Sequence, residues 1–140
     1  MKVTPSTRRQ FVRSASVAAT AFTFLPRHVL GGPRFVPPSE RVNVAVVGVG
    51  GRGLQNLKSL LDLPDVRVIA VADPAREYSL EAFYYKGTGG RAPARAAVEK
   101  RYGEQSPGFR CAEHEDFRVM LEQEKAVDAV LCATPDHLHA

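Results

Sequence analysis

The 140-residue sequence has no Gly-x-Ser-x-Gly, which excludes the strained nucleophile elbow of serine hydrolases. It has no Gly-x-x-x-x-Gly-Lys-Ser/Thr either, which excludes a P-loop. No internal repeat is present, so a repeat architecture is excluded. Cysteine is scarce: Cys111 and Cys132 are the only two, and they fall in strands that are not expected to be neighbours, so no disulfide is expected between them. His137-x-His139 lacks Cys or carboxylate partners at ligand spacing, so no metal site is expected. Acidic residues are missing before residue 31, where Lys2, Arg8, Arg9, Arg13 and Arg27 supply five positive charges. The remainder holds 14 basic and 15 acidic residues and is near neutral. The net charge of +4 therefore belongs to the N-terminus. A nucleic-acid partner is not expected, because it would need Lys and Arg clustered on the folded part.

That basic N-terminus has its own reading. Thr7-Arg8-Arg9-Gln10-Phe11-Val12-Arg13 precedes a mildly apolar stretch, Ala15 to Leu25, too short and weakly apolar for a membrane span. The pattern resembles a twin-arginine export signal. The expectation is a leader over residues 1–30, the twin-arginine export machinery as a partner, and a periplasmic or exported destination. Ala19-Thr20-Ala21 is a candidate cleavage site, and an uncleaved leader would leave a membrane tether. Residues 31–40, rich in Gly and Pro, read as a linker.

The richest stretch runs from Arg41 to Asp73. Val42–Val47 is an apolar run. Gly48-Val49-Gly50-Gly51-Arg52-Gly53 follows, and Leu54, Leu57, Leu60 and Leu61 then recur at helical spacing. Pro64 stops the helix, and Val66, Val68, Ile69 and Val71 read as a buried parallel strand. Asp73 lies 20 positions after Gly53. Strand, Gly-x-Gly-x-x-Gly, helix, strand and acid form the dinucleotide-binding fingerprint of a Rossmann-type α/β fold. Gly48 permits the tight turn, Gly50 admits the pyrophosphate, and Gly53 allows close helix–strand packing. Helix N–H groups then face the phosphates. A carboxylate at Asp73 suits the ribose hydroxyls of NAD. Arg52 and Arg76 lie near enough to leave NADP as the alternative.

Beyond Asp73, Glu77–Tyr85 reads as partly helical and Lys86–Gly90 as a glycine turn. Ala92–Tyr102 reads as a helix, Phe109–Cys111 as a short strand, His114–Glu124 as an amphipathic helix and Val127–Ala133 as a fourth strand. The expected strand order is 3-2-1-4. Residues 78–91 are longer than the usual connection of about 2–6 residues and read as an insertion. Its tyrosines could stack on adenine, or could pack on the protein surface. Arg91 or Lys86 could reach a phosphate. Thr134-Pro135-Asp136-His137-Leu138-His139 follows the fourth strand, where ligands of open α/β sheets bind. Only the first mononucleotide-binding half is complete, so residues 41–140 read as an incomplete NAD(P)-binding domain. The apolar fourth strand would then present an unpaired edge. The expectation for these 140 residues alone is no catalysis, weak NAD affinity and marginal stability.

The glycine loop, Val71-Ala72-Asp73-Pro74 and Asp128-Ala129-Val130-Leu131-Cys132-Ala133-Thr134-Pro135-Asp136-His137-Leu138-His139-Ala140 together resemble the glucose–fructose oxidoreductase/inositol dehydrogenase/MocA (Gfo/Idh/MocA) family. The resemblance covers residues 41–140. It implies an N-terminal Rossmann domain followed by an α/β domain whose open sheet makes a homo-oligomer. It also implies an NAD(P)-dependent oxidoreductase acting on a secondary alcohol of a sugar or cyclitol. It maps cofactor contacts to Gly48, Gly50, Gly51, Gly53 and Asp73, and the nicotinamide-side loop to Thr134, Pro135 and His137. The family's catalytic lysine and its catalytic His or Asp have no match here. Two other readings stand beside it: an NAD-dependent glycosidase of the same family, and a non-catalytic sugar- or nucleotide-binding protein.

Overall fold

The computed structural model describes residues 36–139. The leader lies outside the described residues, and only the end of the linker is inside them, where Pro38–Glu40 makes one 3-10 turn.

The core is a parallel sheet. Its strands are β1 (Val42–Val47), β2 (Val66–Ala72), β5 (Ala112–His114) and β6 (Ala129–Cys132), in the order β5-β2-β1-β6. This is the expected 3-2-1-4 order, and the described residues form a Rossmann-like α/β fold. β1 has partners on both sides, and Val44 to Val47 are all buried. A strand covered on both faces has no reason to alternate polar with apolar residues.

Helix α1 (Gly51–Leu61) follows β1 and buries Leu57 and Leu61, with Leu54 and Leu60 packed beside them. Helix α2 (Arg91–Gly103) buries Ala94 and Val98 against the same sheet face. Helix α3 (Phe117–Gln123) covers the other face through Met120, which meets Ala45, Val47, Ala70 and Ala72.

β2 carries one extra residue. Val44 pairs with Val68 and Ala45 with Ala70, so Ile69 is bulged out of the register. Val68 and Val71 consequently share the α1–α2 face, while Ala70 and Ala72 share the α3 face.

Four boundaries differ from expectation, each for a local reason. Residues 77–85 do not form a helix. Strands β3 (Tyr78–Ser79) and β4 (Thr88–Gly89) pair as an antiparallel hairpin, closed by Lys86 and Gly87 in the left-handed region at φ 52° and 81°. Phe109 is held in a turn by its N–H bond to Ser106 O at 3.0 Å. It stacks edge-on against Tyr102 at 5.2 Å, so the strand starts at Ala112. Helix α3 starts at Phe117, because the Asp116 carboxylate caps it by accepting from Arg118 N–H at 2.8 Å. The fourth sheet strand is shorter than expected, Ala129–Cys132. Among the described residues β6 pairs on one side only, with β1.

Candidate functional site

The chain crosses from one half of the sheet to the other between β1 and β6. At the carboxyl ends of those strands lies a cleft of about 880 Å³. This is the switch point at which open α/β sheets bind ligands.

Its floor is the loop from Gly48 to Gly53. Gly48 has φ 80°, and a Cβ there would lie 2.9 Å from the Ala133 carbonyl. Only glycine meets both demands. A Cβ at Gly53 would collide with Gly48 O, so α1 packs onto the end of β1 without a spacer. Gly50 caps α1 without any side-chain hydrogen bond, and no acidic residue stands in its first turn. The first N–H groups of the helix therefore keep their donors and their positive dipole end for a ligand.

Asp73 follows β2 and is 8% exposed. Its Oδ2 accepts from Val49 N–H at 2.9 Å and its Oδ1 from Ala75 N–H at 2.9 Å. The carboxylate thus ties the glycine loop to the end of β2. Each oxygen retains a second acceptor site.

Gly48, Gly50, Gly51, Arg52, Gly53, Asp73, Thr134 and Pro135 all line the cleft. Arg76 and His137 are exposed and do not line it. His139 lines it instead, with Nε2–H donating to Thr134 O at 2.9 Å. That proton commits Nε2, so His139 secures the turn and is not placed to take a proton from Cys132, whose Sγ is 4.0 Å away. The Cys132 thiol also meets Thr134 Oγ1 at 3.3 Å. Hydrogen bonds from the Thr134 side chain and backbone lower its pKa, against a small opposing effect of burial.

Arg91 and Lys86 are engaged elsewhere. The Arg91 guanidinium donates to Asp73 O at 3.0 Å and Pro74 O at 2.8 Å and pairs with Glu115 at 3.4 Å. Lys86 Nζ donates to Glu81 O. Arg91 clamps the segment after β2, and Lys86 closes its own hairpin.

Asn56, Cys132, Tyr78 and Tyr85 line the cleft as well. Asn56 lies four residues after Arg52, on the same face of α1, which was legible. Cys132 is the last residue of β6, the position from which a strand meets its ligand. Tyr78 and Tyr85 come from the hairpin. Stacking on adenine is an expectation of the sequence for these tyrosines, whereas their contact with the glycine loop depends on the fold.

No protein-family model matches the chain. The chain is similar to a glycosyl hydrolase family 109 protein. That protein, from Stenotrophomonas maltophilia (strain K279a), is 32% identical over 133 residues, which is 95% of this chain and 25% of the relative. The chain therefore spans about a quarter of the length of the curated relative it matches. The relative belongs to the Gfo/Idh/MocA superfamily, in line with the resemblance read from the glycine loop and the Thr134–His139 segment.

Proposed function

We propose that this chain is the NAD-binding part of an enzyme acting on a sugar or cyclitol. One observation carries the reading: an uncapped helix N-terminus and the buried Asp73 share one cleft at the switch point of the sheet. The donor set fits a dinucleotide. Gly50 and Gly51 have no Cβ to hold a diphosphate away, α1 offers free N–H groups, and Asp73 offers acceptors for ribose hydroxyls. Arg52 would add a positive charge at the diphosphate, and Thr134 and Pro135 would border the nicotinamide end. NAD is preferred over NADP because a buried carboxylate repels a 2′-phosphate. When bound, the cofactor would supply hydride transfer. The chain's own residues bind and orient it.

Titration with NAD and NADP tests this. NAD should bind more tightly, and Asp73→Ala should narrow or reverse the preference. Gly50→Val should abolish binding while the fold largely survives. Equal curves for both cofactors in wild type and Asp73→Ala would remove Asp73 from the site.

The chemistry of the whole protein has two readings. The first is net oxidation or reduction of a secondary alcohol. The second is glycoside cleavage through transient oxidation of the sugar, and the name of the similar protein favours it. In that route the bound cofactor would supply reversible hydride transfer with no net change in its redox state. Release of an aglycone with no net change in NAD would establish it. NADH formation in proportion to sugar would establish the first.

Export by the twin-arginine route belongs to the same proposal and is supported by Arg8-Arg9 ahead of the Ala-rich stretch. Lys-Lys in place of that pair should trap a reporter fusion in the cytoplasm. A homo-oligomer of the full-length protein is part of the reading as well.

A further inference from the structure

The β3–β4 hairpin lies directly on the glycine loop. A Cβ at Gly50 would collide with Tyr78 Oη, and a Cβ at Gly51 would overlap the Tyr85 ring. Backbone contacts hold the hairpin base in place. Gly90 N–H donates to Val49 O at 3.1 Å and Arg91 N–H to Ala75 O at 3.1 Å. A Cβ at Gly89 would sit 3.2 Å from Gly50 Cα, and Leu80 is buried beside it. The tip differs from the base: Phe83 is 57% and Tyr84 90% exposed, against 36% for Tyr78 and 38% for Tyr85. Burial and the nearby charge of Asp73 raise the Tyr78 pKa, so its phenol remains a neutral O–H.

A diphosphate bound at the first turn of α1 must approach from the side on which Gly50 and Gly51 lack side chains. Tyr78 Oη and the Tyr85 ring stand on that side. The two cannot share it.

We propose that Tyr78 and Tyr85 form a strap that closes the anion end of the cleft and is displaced when the diphosphate of a dinucleotide binds. The proposal rests on the dinucleotide reading above. The exposed tip suits displacement of Tyr85, because few buried contacts resist local opening there, and Tyr78, on the tied base, need only turn its side chain away. A closed strap reduces apparent affinity by the fraction of molecules that are open.

Calorimetric titration of NAD into the full chain tests this, in wild type and in the double variant Tyr78→Phe, Tyr85→Ala. Circular dichroism checks that the variant keeps its fold. For a closed state favoured by about ten to one, the variant should bind NAD about tenfold more tightly, mostly through faster association. Nitration by tetranitromethane, mapped by mass spectrometry, needs no variant. Saturating NAD should raise nitration of Tyr78 and Tyr85 and leave Tyr84 unchanged. Equal binding by the variant overturns the strap, and weaker binding, or protection of the two tyrosines by NAD, overturns it and makes them part of the nucleotide-binding surface. Absence of NAD binding at millimolar concentration in both proteins overturns the dinucleotide reading itself, and the strap with it.

Discussion

β1 and β6 are adjacent strands of similar composition in very different surroundings. Both are short apolar runs, and Val46 of one faces Leu131 of the other across the ladder. Val46 is fully buried, whereas Val130 is 44% exposed. β1 lies between two strands and two helix-covered faces, while β6 has one partner among the described residues. An apolar strand in a sequence therefore reports what the strand is suited to, and its burial depends on which elements come to lie beside it.

Mutations can break or sharpen this contrast. The largest effect should come from the β1–α1–β2 side. Leu57 of α1 is fully buried, and Leu57→Ala should cost about 3 kcal/mol through lost transfer energy and a residual cavity. Urea unfolding would measure it, and a loss below about 1 kcal/mol would mean that this core is loosely packed. The same substitution in the two strands makes the direct comparison. Val46→Ala should cost about 2 kcal/mol, and Val130→Ala about 0.5 kcal/mol or less. Equal costs would show that β6 is as well covered as β1 in solution.

Asp116→Ala removes the cap of α3, the helix that covers the second sheet face through Met120. The expected loss is about 1 kcal/mol, with early hydrogen exchange confined to residues 117–123. The smallest effect on stability, and a sharp chemical contrast, belongs to the thiols. Burial, reinforced by Glu99, pushes Cys111 up to about 12, while hydrogen bonds from Thr134 lower Cys132. Only the thiolate alkylates. Iodoacetamide should therefore modify Cys132, with a rate that rises with pH and reaches half its maximum below the ordinary thiol pKa of 9.0. Cys111 should stay unmodified across that range. Comparable labelling of both would show that the Cys111 environment opens readily.

Much of this architecture was legible. The strand order followed from the dinucleotide-binding fingerprint and four strand-like segments joined by helical ones. The glycine loop was legible because Gly48 and Gly53 answer steric demands from the chain itself. The hairpin was not, because Tyr78–Tyr85 has no period that separates helix from strand, and its pairing depends on the left-handed turn at Lys86 and Gly87. The start of α3 falls three residues later than the helical spacing from His114 implies, because the Asp116 side chain caps the helix. The placement of Arg91 turned on two carbonyls, Asp73 O and Pro74 O, whose direction no residue pattern reveals. The exclusion of Arg76 and His137 from the cleft has the same origin in loop geometry.

Ile69 has a consequence that reaches beyond sheet packing. A strand works as an alternating code, and one inserted residue inverts every later symbol. Unbroken alternation would put Asp73 in phase with Ile69 and Val71, opposite Val68. With Ile69 outside the count, Val68, Val71 and Asp73 fall in one phase, on the side where Val49 sits. The carboxylate can then reach Val49 N–H. The interval between a glycine loop and its acid is usually treated as a length. In this chain it is also a parity: deleting Ile69 would remove the bulge and leave the acid on the same side of the sheet, whereas drawing Ile69 into the ladder would aim the acid at the opposite side.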